Sequence, residues 1–364
     1  MKKKIKLFDP NIGKDEKQKI SQVLESKFWA SGSGTRNVLK FENQFKKYLG
    51  SNDCIAVNSG TSALNLALSL SNIKNKEVIL PSLSFVSTAH AVIINGGIPV
   101  FVDIKPETMC IDPNEIEKSI TPKTAAILPV HFGGFPCNLK DIQNIAEKHN
   151  LTIIEDAAHA AGATYNNKKI GSHGMFVCFS FHPVKNLAMP TGGIISINHK
   201  NHKQFRKILL ARRWCGITDR IDSEYDVKEL GWNYYMNEFS AAIGLAQLKK
   251  LDRLNRIRQN TCKLYHKKIN AEQKMPITPN SSYHFYWILV KNQKTFRKKM
   301  SECGIETGTH YKPIHQLSMY RQTRKLPITE KIGKTIVTLP TSPNLKKSQI
   351  EFIIKSINRN LISH

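Results

Sequence analysis

Acidic residues are in short supply. The chain has 28 Asp and Glu against 54 Lys and Arg, a formal net charge of +26. Such a balance suits nucleic acid or an anionic membrane surface, but the features those partners need are missing. There is no basic tail with interleaved aromatics and no recognisable nucleic-acid motif, and the positive charge is spread over the whole length. Lys, Asn and Ile are abundant together, so the charge follows a general compositional bias. No nucleic-acid partner is expected; a basic surface also steers small anionic substrates toward a cleft. No apolar run reaches the roughly 18 residues of a membrane span, so no membrane partner is expected either. The stretch MKKKIKLFDPNIGKDEK is basic but lacks an apolar core, which argues against a secretory signal. Seven cysteines (Cys54, Cys110, Cys137, Cys178, Cys215, Cys262, Cys303) are scattered with no CxxC pair. That excludes a zinc site or a disulfide frame and points to reduced thiols in a cytoplasm. Repeats and low-complexity tracts are absent.

What is present is an alternation. Short apolar runs (CIAV at 54–57, EVILPS at 77–82, IPVFVDI at 98–104, TAAILPVH at 124–131, LTIIEDAA at 151–158, MFVCFSF at 175–181 and GGIISIN at 192–198) are separated by helical patterns. The runs are rich in Val and Ile and apolar on both faces. This predicts an α/β fold with a mostly parallel sheet between helical layers. A long helix is expected over 237–258, followed by a strand in YHFYWILV, a helix in TFRKKMSECG and a final helix over 347–361. At 364 residues the chain accommodates about two domains. The expected division is a large cofactor-binding domain, 1–250, and a smaller α+β domain, 251–364.

Ligands of open α/β sheets sit beyond the carboxyl ends of the strands. Four sets of residues stand there. Gly60, Thr61 and Ser62 open a helix after CIAV, where free N–H groups suit a phosphate, although SGT is also an ordinary helix cap. Phe85 follows EVILPS and, taken alone, reads first as a core residue. Glu155 and Asp156 end LTIIED; neighbours on a strand point to opposite faces, so one of the two faces the cleft, with His159 three residues beyond Asp156. Ser180 and Lys185 follow MFVCF in the segment FSFHPVKNLAMPTGG. Lys185 alone could be a solvated loop lysine. Together these groups offer a phosphate cradle, a flat ring for stacking, a carboxylate and an amine. Pyridoxal 5'-phosphate needs those four: the carboxylate keeps its pyridine nitrogen protonated and the lysine carries its aldehyde as an imine.

Six blocks in order resemble the DegT/DnrJ/StrS nucleotide-sugar aminotransferases, which have the type I aminotransferase fold. They are NSGTSALNLAL, PSLSFVSTAHAVIINGGIPVFVDI, EDAAHAAGATY, FSFHPVKNL, GWNYYMNEFSAAIGLAQLKKLD and HYKPIHQLSMY. The resemblance covers essentially the whole chain. It implies a seven-stranded sheet and a smaller C-terminal domain. Lys185 is implied as the Schiff-base lysine that forms the internal aldimine, and Asp156 as the pyridinium partner. His159 is implied near the phenolic oxygen and Phe85 against the ring. Thr61 and Ser180, with Gly60, are implied on the phosphate, with Ser62 as an adjacent backbone donor. Asn233 is implied to reach the phosphate of a neighbouring subunit, hence a homodimer with shared sites. His182, Tyr311 and His315 match positions near the sugar-binding mouth. Residues 26–36 are implied to line that mouth, with Trp29 a candidate for base stacking and Arg36 for diphosphate pairing.

The implied reaction moves an amino group from L-glutamate to a keto group of a nucleotide-linked sugar, in surface-polysaccharide or glycan synthesis. Two features depart from the family pattern. Met189-Pro190-Thr191-Gly192-Gly193 stands where the family has a Gly-acid-Gly-Gly run, and Tyr235 stands where Arg is common. Lysine at 185 separates the chain from the branch that has His there and performs deoxygenation. Another reaction on the same cofactor, such as a dehydration or transamination of a non-sugar ketone, is the main alternative. A non-catalytic regulatory protein is the other.

Overall fold

The computed structural model describes residues 4–321 and 324–362; the first three residues of the basic N-terminal stretch lie outside it. Two helices, α1 (Lys14–Ser26) and α2 (Arg36–Leu49), lead into an alternating series. The series is β1 (Asp53–Val57), α3 (Gly60–Ser69), β2 (Glu77–Pro81), α4 (Ser87–Ile94), β3 (Ile98–Val102), α5 (Pro113–Lys118), β4 (Thr124–Ile127), α6 (Leu139–His149), β5 (Thr152–Asp156), β6 (Phe176–Ser180), β7 (Gly193–Ile197) and α7 (His202–Arg213). Then come α8 (Glu238–Lys268), β8 (Tyr286–Leu289), α9 (Gln293–Glu302), α10 (Pro327–Thr335), β9 (Ile336–Leu339) and α11 (Lys347–Ile362). Each of the seven apolar runs contains one strand of the main sheet.

The sheet has the order β1-β7-β6-β5-β4-β2-β3. Neighbours pair in parallel from β6 to β3, and only β7 runs antiparallel, to both β1 and β6. The strands are apolar on both faces because both faces are covered. In β1, Cys54 and Ala56 join the core beneath α2, α6 and α8, while Ile55 and Val57 join the core beneath α3, α4 and α7. In β6, Val177 and Phe179 alternate in the same way with Phe176 and Cys178. The helices start where side chains accept otherwise unpaired amides: Ser59 caps α3, Asn138 caps α6 and Asn237 caps α8.

Helix α8 is 31 residues long and carries the chain from the sheet to the C-terminal part, where β8 and β9 pair antiparallel. The division expected near residue 250 falls within this uninterrupted helix. Among the described residues no helix is long and apolar enough to cross a membrane.

Candidate active site

Because β7 alone is reversed, β1, β6, β5, β4, β2 and β3 all end at the same edge of the sheet. A cavity of about 370 Å³ opens there. Of the residues singled out in the sequence, Gly60, Thr61, Phe85, Asp156, His159, Ser180, His182, Lys185 and Tyr311 line it.

Glu155 and Asp156 resolve into two roles. Asp156 closes β5 and turns into the cavity, 4% exposed. Its Oδ2 accepts from the Thr88 hydroxyl at 2.9 Å and its Oδ1 from the Ala158 amide at 3.1 Å. Ser84 sits 2.8 Å behind Thr88; since Thr88 donates onward, Ser84 donates to it. Burial pushes the carboxyl upward, and the two donors and Lys185 oppose the shift. Glu155 points to the other face, where its Oε2 lies 2.8 Å from His131 Nε2 in a fully buried contact. His131 Nδ1 accepts from the Cys137 amide, so the ring proton is on Nε2 and is donated to Glu155.

The end of β1 builds the second wall. Helix α3 begins at Gly60, and its first amides precede the first intrahelical bond, from Ala63 N to Ser59 O. A Cβ on Gly60 would stand 2.6 Å from Ser180 Cβ, so only glycine lets the helix start lie flush against the end of β6. The Thr61 hydroxyl, the Ser180 hydroxyl and the helix N-terminus then face one space. Ser62 does not: its hydroxyl is 2.6 Å from Asn58 Oδ1 and turned away from the cavity.

Lys185 stands on a closed loop. Phe181 N bonds Gly192 O at 2.8 Å, Met189 N bonds Phe181 O at 2.8 Å, and Lys185 N bonds His182 O at 2.8 Å. The next residue pins this loop. Asn186 donates from Nδ2 to Asn255 Oδ1 on α8 and to Ser282 O, both at 2.8 Å, and its Oδ1 lies 3.2 Å from His284 Nδ1. Burial lowers the Lys185 amine to about 8, with Asp156 pulling the other way. Thr191, in place of the family's acid, donates its hydroxyl to the Asn58 carbonyl and ties the loop to β1.

On the β4 side, Gly133 N donates to His159 Nδ1 at 3.2 Å, and His159 Nε2 is 3.1 Å from Tyr311 Oη. His159 stacks on His284 at 4.5 Å, and burial drives both rings well below their usual range, so both are neutral. Phe85 is 58% exposed and lies 6.1 Å from Tyr311, leaving a ring face for a planar ligand.

Four residues lie elsewhere. His315 is buried beneath the mouth, its Nδ1 2.7 Å from Ser82 Oγ and its Nε2 3.4 Å from Glu330. It anchors the 310–316 segment to the end of β2. Asn233 is exposed and touches Asn58 only through its carbonyl. Trp29 is 53% exposed and packs on Phe239; Arg36 lies 4.0 Å over the Phe28 ring. Neither lines the cavity.

The cavity also holds residues that sequence reasoning passed over: Phe8, Ser84, Ser87 and His310 line it, and Thr88, Asn186 and His284 support it. Phe8 stacks on His284 at 5.1 Å. Ser84, Ser87 and Thr88 lie close together around the start of α4, whereas Phe8, Asn186, His284 and His310 come from distant parts of the chain. The signal available was that Ser84, Ser87, Thr88, Asn186 and His310 fall inside the recognised blocks.

The donor set fits pyridoxal phosphate. A buried carboxylate held by two donors faces an amine with a lowered pKa, and a glycine-opened helix start lies beside two hydroxyls. Comparison with known proteins agrees. The sequence profile of the DegT/DnrJ/EryC1/StrS aminotransferase family matches residues 10–358. The chain is 33% identical to the spore coat polysaccharide biosynthesis protein SpsC of Bacillus subtilis, over 96% of this chain and 95% of that one. It is 32% identical to the GDP-perosamine synthase of Escherichia coli O157:H7, over 98% of each. Among solved structures it resembles Helicobacter pylori PseC, an aminotransferase involved in the biosynthesis of pseudoaminic acid, with a TM-score of 0.92, 30% identity and full coverage of both chains.

Proposed function

Since the chain belongs to the DegT/DnrJ/EryC1/StrS aminotransferase family, whose members use pyridoxal phosphate, we propose that it transfers the amino group of L-glutamate to a keto group on a nucleotide-linked sugar. The observation that carries this reading is Lys185 and Asp156 facing one cavity with the Gly60–Thr61 helix start. The names of GDP-perosamine synthase, PseC and SpsC support a sugar acceptor and a place in polysaccharide synthesis.

When bound, the cofactor supplies an aldehyde that condenses with amines and a ring that spreads negative charge. The residues do the rest. Lys185 Nζ would hold the cofactor until the amine of the donor displaces it; the freed amine would then take the proton from the donor Cα and return it on the acceptor side. A pKa near 8 keeps a useful fraction of this amine unprotonated near neutrality. Asp156 would hold a proton on the ring nitrogen; Thr88 and Ala158 aim its two oxygens. Thr61, Ser180 and the start of α3 would bind the phosphate. Phe85 would pack on the ring, and His182, exposed at the mouth, would meet the acceptor.

The same reading makes the protein a cytoplasmic homodimer. Asn233 lies outside its own cavity, where it is available to the site of a second copy. Three residues before Asn233, the Leu230 side chain is 80% exposed, which supports a covered surface. The test is a panel of nucleotide-linked keto-sugars and non-sugar ketones incubated with isotopically labelled L-glutamate. Label appearing on a sugar nucleotide supports the proposal; label appearing only on non-sugar ketones overturns the sugar assignment.

A further inference from the structure

Helix α8 carries more positive charge than its packing uses. Two of its cations face inward and are engaged: Lys250 Nζ lies 2.6 Å from Glu16 Oε1, and Arg258 donates to the Thr341 carbonyl at 3.3 Å. Five others, Lys249, Arg253, Arg256, Lys263 and Lys267, are exposed, and among the described residues their side chains have no hydrogen-bond or ion-pair partner. The acid beside them, Asp252, is already taken by Lys169 Nζ at 2.9 Å and by the Tyr48 hydroxyl at 2.6 Å.

The five fall on one line. With Asn260, also exposed, they recur at intervals of four, three, four, three and four residues, which keeps all six within about 80° of the helix circumference. The line runs roughly 27 Å at about 1.5 Å per residue. Its closer pairs stand about 6 Å apart, inside the screening length of about 8 Å at physiological salt. Like charges so placed repel, and an anionic partner relieves the repulsion.

The chemistry of that partner follows from what the line lacks. No aromatic ring stands in it, so it offers nothing for unpaired bases to stack on. On α8 the one exposed large apolar side chain is Leu264, at the flank, so the apolar centre of a protein–protein interface is missing. The helix is packed along α1 and α2, which keeps it out of the groove of a nucleic-acid duplex. A straight row of long basic side chains on a convex face suits a flat surface whose negative charges are mobile and gather beneath it. We propose that this row docks the protein on a bilayer face rich in anionic phospholipid. Helix α8 does not insert, because its apolar side is buried within the protein. The lack of an apolar span, from which no membrane partner is expected, does not bear on this contact: a charged row resting on headgroups needs no span. The row begins three turns beyond the start of α8, and no residue of α8 lines the cavity, so docking leaves the site open.

The test is co-sedimentation of the full chain with vesicles of phosphatidylglycerol and phosphatidylcholine in equal parts, and with vesicles of phosphatidylcholine alone. Binding is expected only to the first. It should be lost between about 0.1 M and 1 M salt, as the screening length falls from about 10 to about 3 Å. Each basic residue near such a surface changes partition about fivefold, so Arg253→Gln with Arg256→Gln and Lys263→Gln should weaken binding about a hundredfold. Lys249→Gln with Lys267→Gln should weaken it about thirtyfold, and decides the matter if circular dichroism shows the triple variant unfolded. Lys291→Gln with Lys294→Gln and Lys298→Gln removes as much charge from exposed lysines around the start of α9, and should weaken binding less than about fivefold. Equal weakening by the two triple variants would make the row one part of a diffuse positive charge and overturn the proposal, as would a wild-type protein that binds neither vesicle. Binding to duplex DNA that depends on the row, with no binding to vesicles, would replace the bilayer by nucleic acid.

Discussion

Glu155 and Asp156 are chain neighbours at the end of β5, and they face opposite sides of the sheet: one is sealed against His131 at 2.8 Å, the other opens into the cavity with Lys185. The chemistry of the site and the stability of its floor are therefore carried by adjacent, separable carboxylates.

Asp156→Asn should retain the fold and bind pyridoxal phosphate, but lose turnover. An opposite charge at about 4 Å is worth roughly 4 kcal/mol at an effective dielectric near 20, and its loss lowers kcat roughly a thousandfold. Single-turnover kinetics with L-glutamate measures this.

Glu155→Leu should do the reverse. It leaves the buried His131 Nε2–H without its acceptor, a cost of about 1–3 kcal/mol. Thermal denaturation should show a lower Tm, while the visible band of the cofactor persists in the folded protein.

Thr88→Val removes one of the two donors to Asp156. Burial already raises this carboxyl and the donors restrain it, so its pKa moves further up. The acidic limb of the kcat profile should shift to higher pH, because protonation of Asp156 then begins at higher pH.

Asn186→Ala unfastens the lysine loop from α8 and from Ser282. Leaving the buried Ser282 carbonyl and Asn255 amide oxygen unpaired costs about 1–3 kcal/mol. The amine of Lys185 also gains freedom, so cofactor capture by the apoprotein should slow more than KM for glutamate changes. Stopped-flow absorbance resolves the two.

The sheet was legible from the sequence because its strands are apolar on both faces and separated by helices, a pattern with few other solutions. The lysine, the carboxylate and the glycine-opened helix were legible because each follows a strand. The choice between Glu155 and Asp156 was not, since strand alternation says only that they diverge. The orientation of Ser62 was also hidden: the Asn58 side chain that takes its hydroxyl is set by the turn into α3. His315 shares a motif with Tyr311 but turns inward to Glu330 and to Ser82, the latter a partner 233 residues away that no local pattern announces. Phe8 reaches the cavity only through packing of the N-terminal segment against His284.

The most direct test of the account is the visible absorbance of the cofactor-loaded protein before and after L-glutamate, with Lys185→Ala beside it. The account expects a band in the wild type that Lys185→Ala lacks and that glutamate converts to the pyridoxamine form with release of 2-oxoglutarate. A wild-type band that glutamate leaves unchanged would contradict the proposed donor and reaction, and a band of equal strength in Lys185→Ala would contradict the role of the lysine.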